Sequence, residues 1–179
     1  MRGLAILFIL GISAQGQVFN PVAKERGPES VPKLPLDVRL DLVKRKCMVP
    51  QYKGSTSADG AYTRGHFRSG AAIDYAVVCH IPSRKVQNVL VYSNSDGAWT
   101  GEIIERGTFG PPPEGNNCQR EVSIATSKSI VDFARAFAPE ELKHLPKLDH
   151  EGVNVEICEK ASVIYYLHQG KWLKLQGSD

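Results

Sequence analysis

Hydrophobic positions along this chain change period several times, and each change marks an element. Ile73, Tyr75, Val77, Cys79 and Ile81 recur at every second position, while Ala76 and Val78 make the intervening face apolar too. That pattern predicts a central strand over 73–81, buried on one side and partly on the other. A second strand over 86–92 follows Pro82-Ser83-Arg84, and the two read as a hairpin. Asn94-Ser95-Asp96-Gly97 is a turn leading to Trp99 and a short strand at 102–105. Further on, Val122 and Ile124 alternate with Glu121 and Ser123, and Val153, Val155 and Ile157 alternate with Asn154, Glu156 and Cys158. A strand over 161–168, the tight turn Gln169-Gly170 and a returning strand over 171–175 complete the β pattern.

The helical period occurs twice. Ile130, Phe133, Ala134 and Phe137 fall at i, i+3, i+4 and i+7, the stripe of an amphipathic helix. Thr126 or Ser127 can cap it, and Pro139 stops it and starts a second short helix over 140–145. Earlier, Asp37 is placed to cap a helix over 38–46 with Val38, Leu42 and Val43 as its apolar stripe. Loops are expected at 55–61 and 107–117, the latter carrying three consecutive prolines. Strands flanking a helical centre predict an α+β fold: a largely antiparallel sheet with two or three short helices packed on one face. Residues 37–179 read as one domain.

The first residues set the compartment. Met1 and Arg2 precede an apolar run, Leu4 to Ile12, and then the small residues Ser13-Ala14-Gln15-Gly16. That order predicts a signal peptide over 1–16 and an exported protein, periplasmic or extracellular. The run is too short for a permanent span, and no cysteine follows it to accept lipid, so no membrane anchor is expected after cleavage. Residues 17–36, with Pro21, Pro28, Pro32 and Pro35, read as a flexible linker.

Composition narrows the partners. At 42% hydrophobic and 23% charged residues, the chain is ordinary for a globular protein, which argues against disorder of the whole. The formal charge is +3, too small to predict commitment to nucleic acid or an anionic membrane. The densest basic run, Lys44-Arg45-Lys46, reads as a solvated helix end in preference to a nucleic-acid patch.

Export changes the meaning of Cys47, Cys79, Cys118 and Cys158. They are widely spaced, with no Cys-x-x-Cys pair, so disulfides are preferred to a zinc or redox site. Of the three connectivities, Cys47–Cys79 with Cys118–Cys158 is preferred; the alternative is buried free thiols, Cys79 above all.

Familiar catalytic motifs are missing from the sequence. No Gly-x-Ser-x-Gly, His-Glu-x-x-His or phosphate-binding glycine loop is present. Asp149-His150-Glu151 is the densest polar group, and a solvated turn is preferred to an acid/base or metal role. Asn94-x-Asp96-Gly97 lacks the first and closing carboxylates of a calcium loop and reads as a turn. Asp74 interrupts the start of an apolar strand, where a carboxylate usually satisfies a nearby backbone donor. Tyr165, Tyr166 and Trp172 cluster on the last hairpin; cross-strand packing is the commoner use, and Tyr166 and Trp172 are the candidates for a binding surface. No cofactor or metal is expected.

Two stretches carry resemblances. Gly65-x-Phe67 followed by Asp74-Tyr75-Ala76-Val77-Val78 resembles one copy of the FG-GAP/VCBS β-repeat. Tyr62-Thr63-Arg64 replaces the acidic start of that repeat and no second copy follows, so no propeller is expected. More broadly, Cys47-x-Val49-Pro50-Gln51, the Gly65 to Cys79 stretch, Leu148-Asp149-His150-Glu151-Gly152, Glu159-Lys160-Ala161-Ser162 and Gly170-Lys171-Trp172-Leu173 are similar to a group of uncharacterised bacterial exported proteins. That resemblance implies one intact domain in a bacterial envelope and transfers no functional residue. The expectation is therefore an exported, disulfide-stabilised, non-enzymatic binding domain for a protein or glycan of the envelope, with no nucleic-acid partner. The alternative is a hydrolase using Asp74, His80 or the Asp149-His150-Glu151 cluster.

Overall fold

The strand with two apolar faces organises the molecule. In the computed structural model, which describes residues 22–52, 61–68, 70–108, 120–157 and 161–177, it is β4 (Asp74–Ile81). The chain order places β1 (Val22–Arg26), α1 (Leu36–Lys44), β2 (Val49–Tyr52) and β3 (Tyr62–Gly65) before it. After it come β5 (Val86–Ser95), β6 (Ala98–Thr108), β7 (Arg120–Ala125), α2 (Ser127–Phe137), α3 (Pro139–Leu142), β8 (Gly152–Ile157), β9 (Ala161–His168) and β10 (Lys171–Gln176). Every strand pairing is antiparallel. The fold is α+β, mostly antiparallel sheet with three short α-helices among the described residues.

The strands divide into two four-stranded sheets, ordered β3-β4-β5-β6 and β10-β9-β8-β7, with β1 and β2 as a separate ribbon. That division explains why β4 is apolar on both faces. Val77, Cys79 and Ile81 lie on one face, with Leu90 of β5 and Ile103 of β6 paired beside them. This face takes α1, whose Val38 and Leu42 are fully buried. The opposite face, with Ala76, Val78 and Val89, meets Val122, Val153, Val155, Val163 and Tyr165 of the second sheet in one continuous core. The second sheet's outer face carries Ile164, Tyr166 and Leu175, covered by Ile130 and Ala134 of α2. The layers therefore run α1, sheet, sheet, α2–α3. The helices divide between the outer faces of two sheets instead of sharing one face, because each sheet leaves its own apolar face to cover.

Turn chemistry fixes the hairpins. Asp96 and Gly97 adopt φ of 52° and 84°, the left-handed pair that a two-residue hairpin loop demands. Asn94 Oδ1 accepts the Gly97 N–H at 3.0 Å and holds the turn. Gln169 and Gly170 repeat the device between β9 and β10. In β6, Val89 pairs with Glu105 and Leu90 with Ile103, so Ile104 is an extra residue that bulges the strand. The strand predicted at 102–105 thus runs the full length of Ala98–Thr108.

Two expectations need correction. Asp37 does not cap α1: Pro35 occupies the cap position without a side-chain hydrogen bond, and Asp37 sits in the first turn, where its charge faces the positive end of the dipole. Residues 22–36 are not a flexible linker. Val22–Arg26 pairs with β2, and Val31 and Leu34 are buried in the main core, so the prolines shape a packed segment. Thr126 is the cap of α2, its Oγ1 accepting the Ser129 N–H at 3.1 Å. The predicted leader 1–16, Cys118, Cys158 and most of the loops expected at 55–61 and 107–117 lie outside the described residues.

Candidate functional site

Asp74 opens β4 and is fully buried. Its Oδ2 accepts the Arg68 N–H at 3.1 Å, and its Oδ1 lies 3.1 Å from the Arg68 guanidinium, which also donates to the Asn94 carbonyl at 3.0 Å. Burial raises the carboxyl above its ordinary range, against the lowering effect of Arg68. A raised carboxyl suits a general acid, but with 0% exposure no substrate reaches it. The carboxylate instead ties the backbone after β3. There Phe67 is fully buried in the core, and a Cβ on Gly65 would stand 2.8 Å from its ring and 2.7 Å from the Glu151 carboxylate. The motif Gly65-x-Phe67…Asp74 is thus a loop staple.

Glu151 serves the same loop from the second sheet. Its Oε2 accepts the His66 N–H at 2.8 Å, and its own N–H donates to the His66 carbonyl at 2.8 Å. This reciprocal pair clasps the end of β3 to the start of β8. Asp149 is exposed, and its Oδ1 lies 2.8 Å from His150 Nδ1; His150 Nε2 lies 2.7 Å from the Leu167 carbonyl. Both ring nitrogens are occupied, leaving none for a substrate or a metal. His80 Nδ1 meets Glu25 of β1 and fastens the N-terminal ribbon to β4. It lies six residues from Asp74 along one strand, roughly 20 Å at the usual rise. The structure therefore brings Asp74 and Glu151 to one loop as backbone acceptors and leaves His80 and His150 apart.

The two aromatic candidates do not share a surface either. Tyr166 is buried beneath α2 and α3, where burial raises its hydroxyl pKa. Trp172, on the opposite face of its hairpin, packs against the main core and donates from Nε1 to Glu102 at 3.1 Å. Cys47 and Cys79 form a disulfide, as the preferred pairing had it, and Cys79 is not a free thiol.

That disulfide adjoins the concavity with the most suggestive chemistry. At the C-terminal end of α1, a cavity of about 250 Å³ opens between the helix end and the first sheet. Its apolar floor is Cys79, Ile81, Leu90 and Ile103, all on the β4 face that takes α1. Its walls are Lys44, Arg45, Lys46, Arg84 and Arg106, with no carboxylate among the described lining residues. Arg45 is engaged: its Nε lies 2.5 Å from Asp41, whose Oδ2 also accepts the Tyr92 hydroxyl at 2.8 Å. Burial first, then Asp41, raises the Tyr92 pKa far above the ordinary phenol range. Lys44, Lys46, Arg84 and Arg106 have no ion-pair partner among the described residues. Left-handed backbone at Lys46 and Lys85 turns the chain at the cavity's two rims. A second cavity on the same sheet face, about 380 Å³, is lined by Lys33, Tyr62, Thr63, Arg64 and Tyr75, with no acid among the described lining residues.

The sequence signalled this site only through Lys44-Arg45-Lys46. Arg84 and Arg106 stand 40 and 62 residues from Lys44, and only the β4–β5–β6 pairing brings them to it. No family model, curated protein or solved structure matches this chain.

Proposed function

We propose that the chain is an exported, non-enzymatic binding domain that takes an anionic group, of the phosphate, sulfate or carboxylate kind, in the cavity beside the Cys47–Cys79 disulfide. The observation that carries this reading is the cavity itself: five cationic side chains over an apolar floor, four of them without an ion-pair partner among the described residues, and no acid among the described lining residues. Unpaired cations held together repel one another, and an anion relieves that repulsion. The planar guanidinium groups of Arg84 and Arg106 suit two-point hydrogen bonding to such oxygens. Export is supported by the leader-like first residues and by an intramolecular disulfide, which persists in an oxidising compartment.

Isothermal titration with inorganic pyrophosphate tests the site. Binding is expected that weakens with salt and falls roughly tenfold or more in Arg84→Ala/Arg106→Ala, since each lost charged hydrogen bond costs about 1.5–3 kcal/mol. Absence of binding, or equal binding by the variant, overturns the reading.

A further inference from the structure

We propose that the α1 side of this domain docks on an anionic lipid bilayer, with the outer ridge of α1 in the membrane interface and a headgroup phosphate in the basic cavity. The inference rests on the anion-site reading and adds an independent observation. α1 is apolar on two faces. Val38 and Leu42 point into the core, while Leu36, Leu40 and Val43 are 60%, 57% and 48% exposed. Their i, i+4, i+7 spacing sets them in one row on the side opposite Val38 and Leu42. The row ends at Val43, next to Lys44, so the apolar ridge runs into the cavity's cationic rim.

The occupant follows from size and charge. Three side chains on a nine-residue helix offer far less than the roughly 800 Å² per partner that a stable protein interface buries. A bilayer asks only for shallow insertion of an apolar face flanked by cations. Neither signal suffices alone: a few leucines bind weakly, and a few cations hold a protein near a surface without fixing it. Combined, they give the two-signal attachment that peripheral proteins use. No helix among the described residues is long and apolar enough to cross a membrane, so this is contact with one leaflet surface.

Co-sedimentation of the full chain with vesicles tests it, using phosphatidylcholine with 25% phosphatidylglycerol against phosphatidylcholine alone. The apolar run 4–12 is present in every variant, so the differences between variants carry the result. Wild type is expected to partition at least tenfold more strongly to the anionic vesicles. Leu36→Ser/Leu40→Ser, at exposed positions that leave the core intact, is expected to lower that partition about tenfold while pyrophosphate binding stays unchanged. Arg84→Ser/Arg106→Ser loses both. If the leucine variant partitions like wild type while pyrophosphate still binds, the bilayer proposal falls and the anion site stands. If pyrophosphate fails to bind and no variant differs from wild type on vesicles, both fall. Thermal melts monitored by circular dichroism establish that each variant is folded.

Discussion

Removing the Cys47–Cys79 bond should destabilise the domain by an amount that the chain connectivity sets. The two residues are 32 apart in sequence and both are buried. Closing a loop of that length in the unfolded chain lowers its entropy by the equivalent of about 3.5–4 kcal/mol at 25 °C. For a domain of this size each kcal/mol moves the melting temperature by about 2–4 °C, so a fall of about 7–15 °C is expected. A double-mutant cycle separates the bond from the atoms. Cys47→Ala already breaks the cross-link, and adding Cys79→Ala removes only one further buried sulfur, about 1 kcal/mol. The single and double variants should therefore melt close together and well below wild type, by calorimetry on protein whose bonding state is checked by mass spectrometry. Additive effects of the two single substitutions, or a double variant melting within 3 °C of wild type, would refute the argument. Because Cys47 follows the end of α1, the same variants should weaken pyrophosphate binding below their melting point.

Three further outcomes follow from local geometry. At Gly101 a Cβ would overlap the ring of Tyr92, which is 1% exposed and tied to Asp41, so Gly101→Val should lower the urea-unfolding free energy by about 1–3 kcal/mol. Thr126→Ala leaves the Ser129 N–H without its acceptor and should cost about 1 kcal/mol in the same assay. Glu121 and Glu156 face each other across β7 and β8, and burial first, then Glu156, raises the Glu121 carboxyl. A raised folded value means that the favourable contribution is complete below the ordinary 4.5 and is lost as pH climbs through the raised value. Glu156→Gln should flatten that loss and add a few tenths of a kcal/mol at pH 7, read from urea midpoints across pH.

The fold was legible where side-chain periodicity reports directly on burial. The pattern at 73–81 foretold a strand buried on one face and partly on the other, and the row Ile130, Phe133, Ala134, Phe137 foretold α2 almost to the residue. The division into two sheets was not legible, because periodicity tells that a face is buried and not which element buries it. The packing of segment 22–36 was not legible, since proline content marks the absence of helix equally in a packed segment and a free one. Asp74 and Glu151 look like chemistry in one dimension, yet each is consumed by backbone N–H groups some distance away in sequence. The cationic cavity is the reverse case: a net charge of +3 hid it, because a sum over the chain carries no information about where charges of one sign gather.

The edge of β4 beyond β5 is covered in two pieces. β3 pairs with Asp74–Val77, and farther along Met48 exchanges two backbone hydrogen bonds with His80, at 2.7 and 2.9 Å, with β1 outside β2. Two short covers guard a long apolar strand against pairing with another molecule. Chains trimmed past Arg26 lose the outer ribbon and the Glu25 contact that seats it. They would bare the outer edge of β2, Val49–Tyr52, so proteolytic clipping at the N-terminal ribbon would open that edge to strand addition.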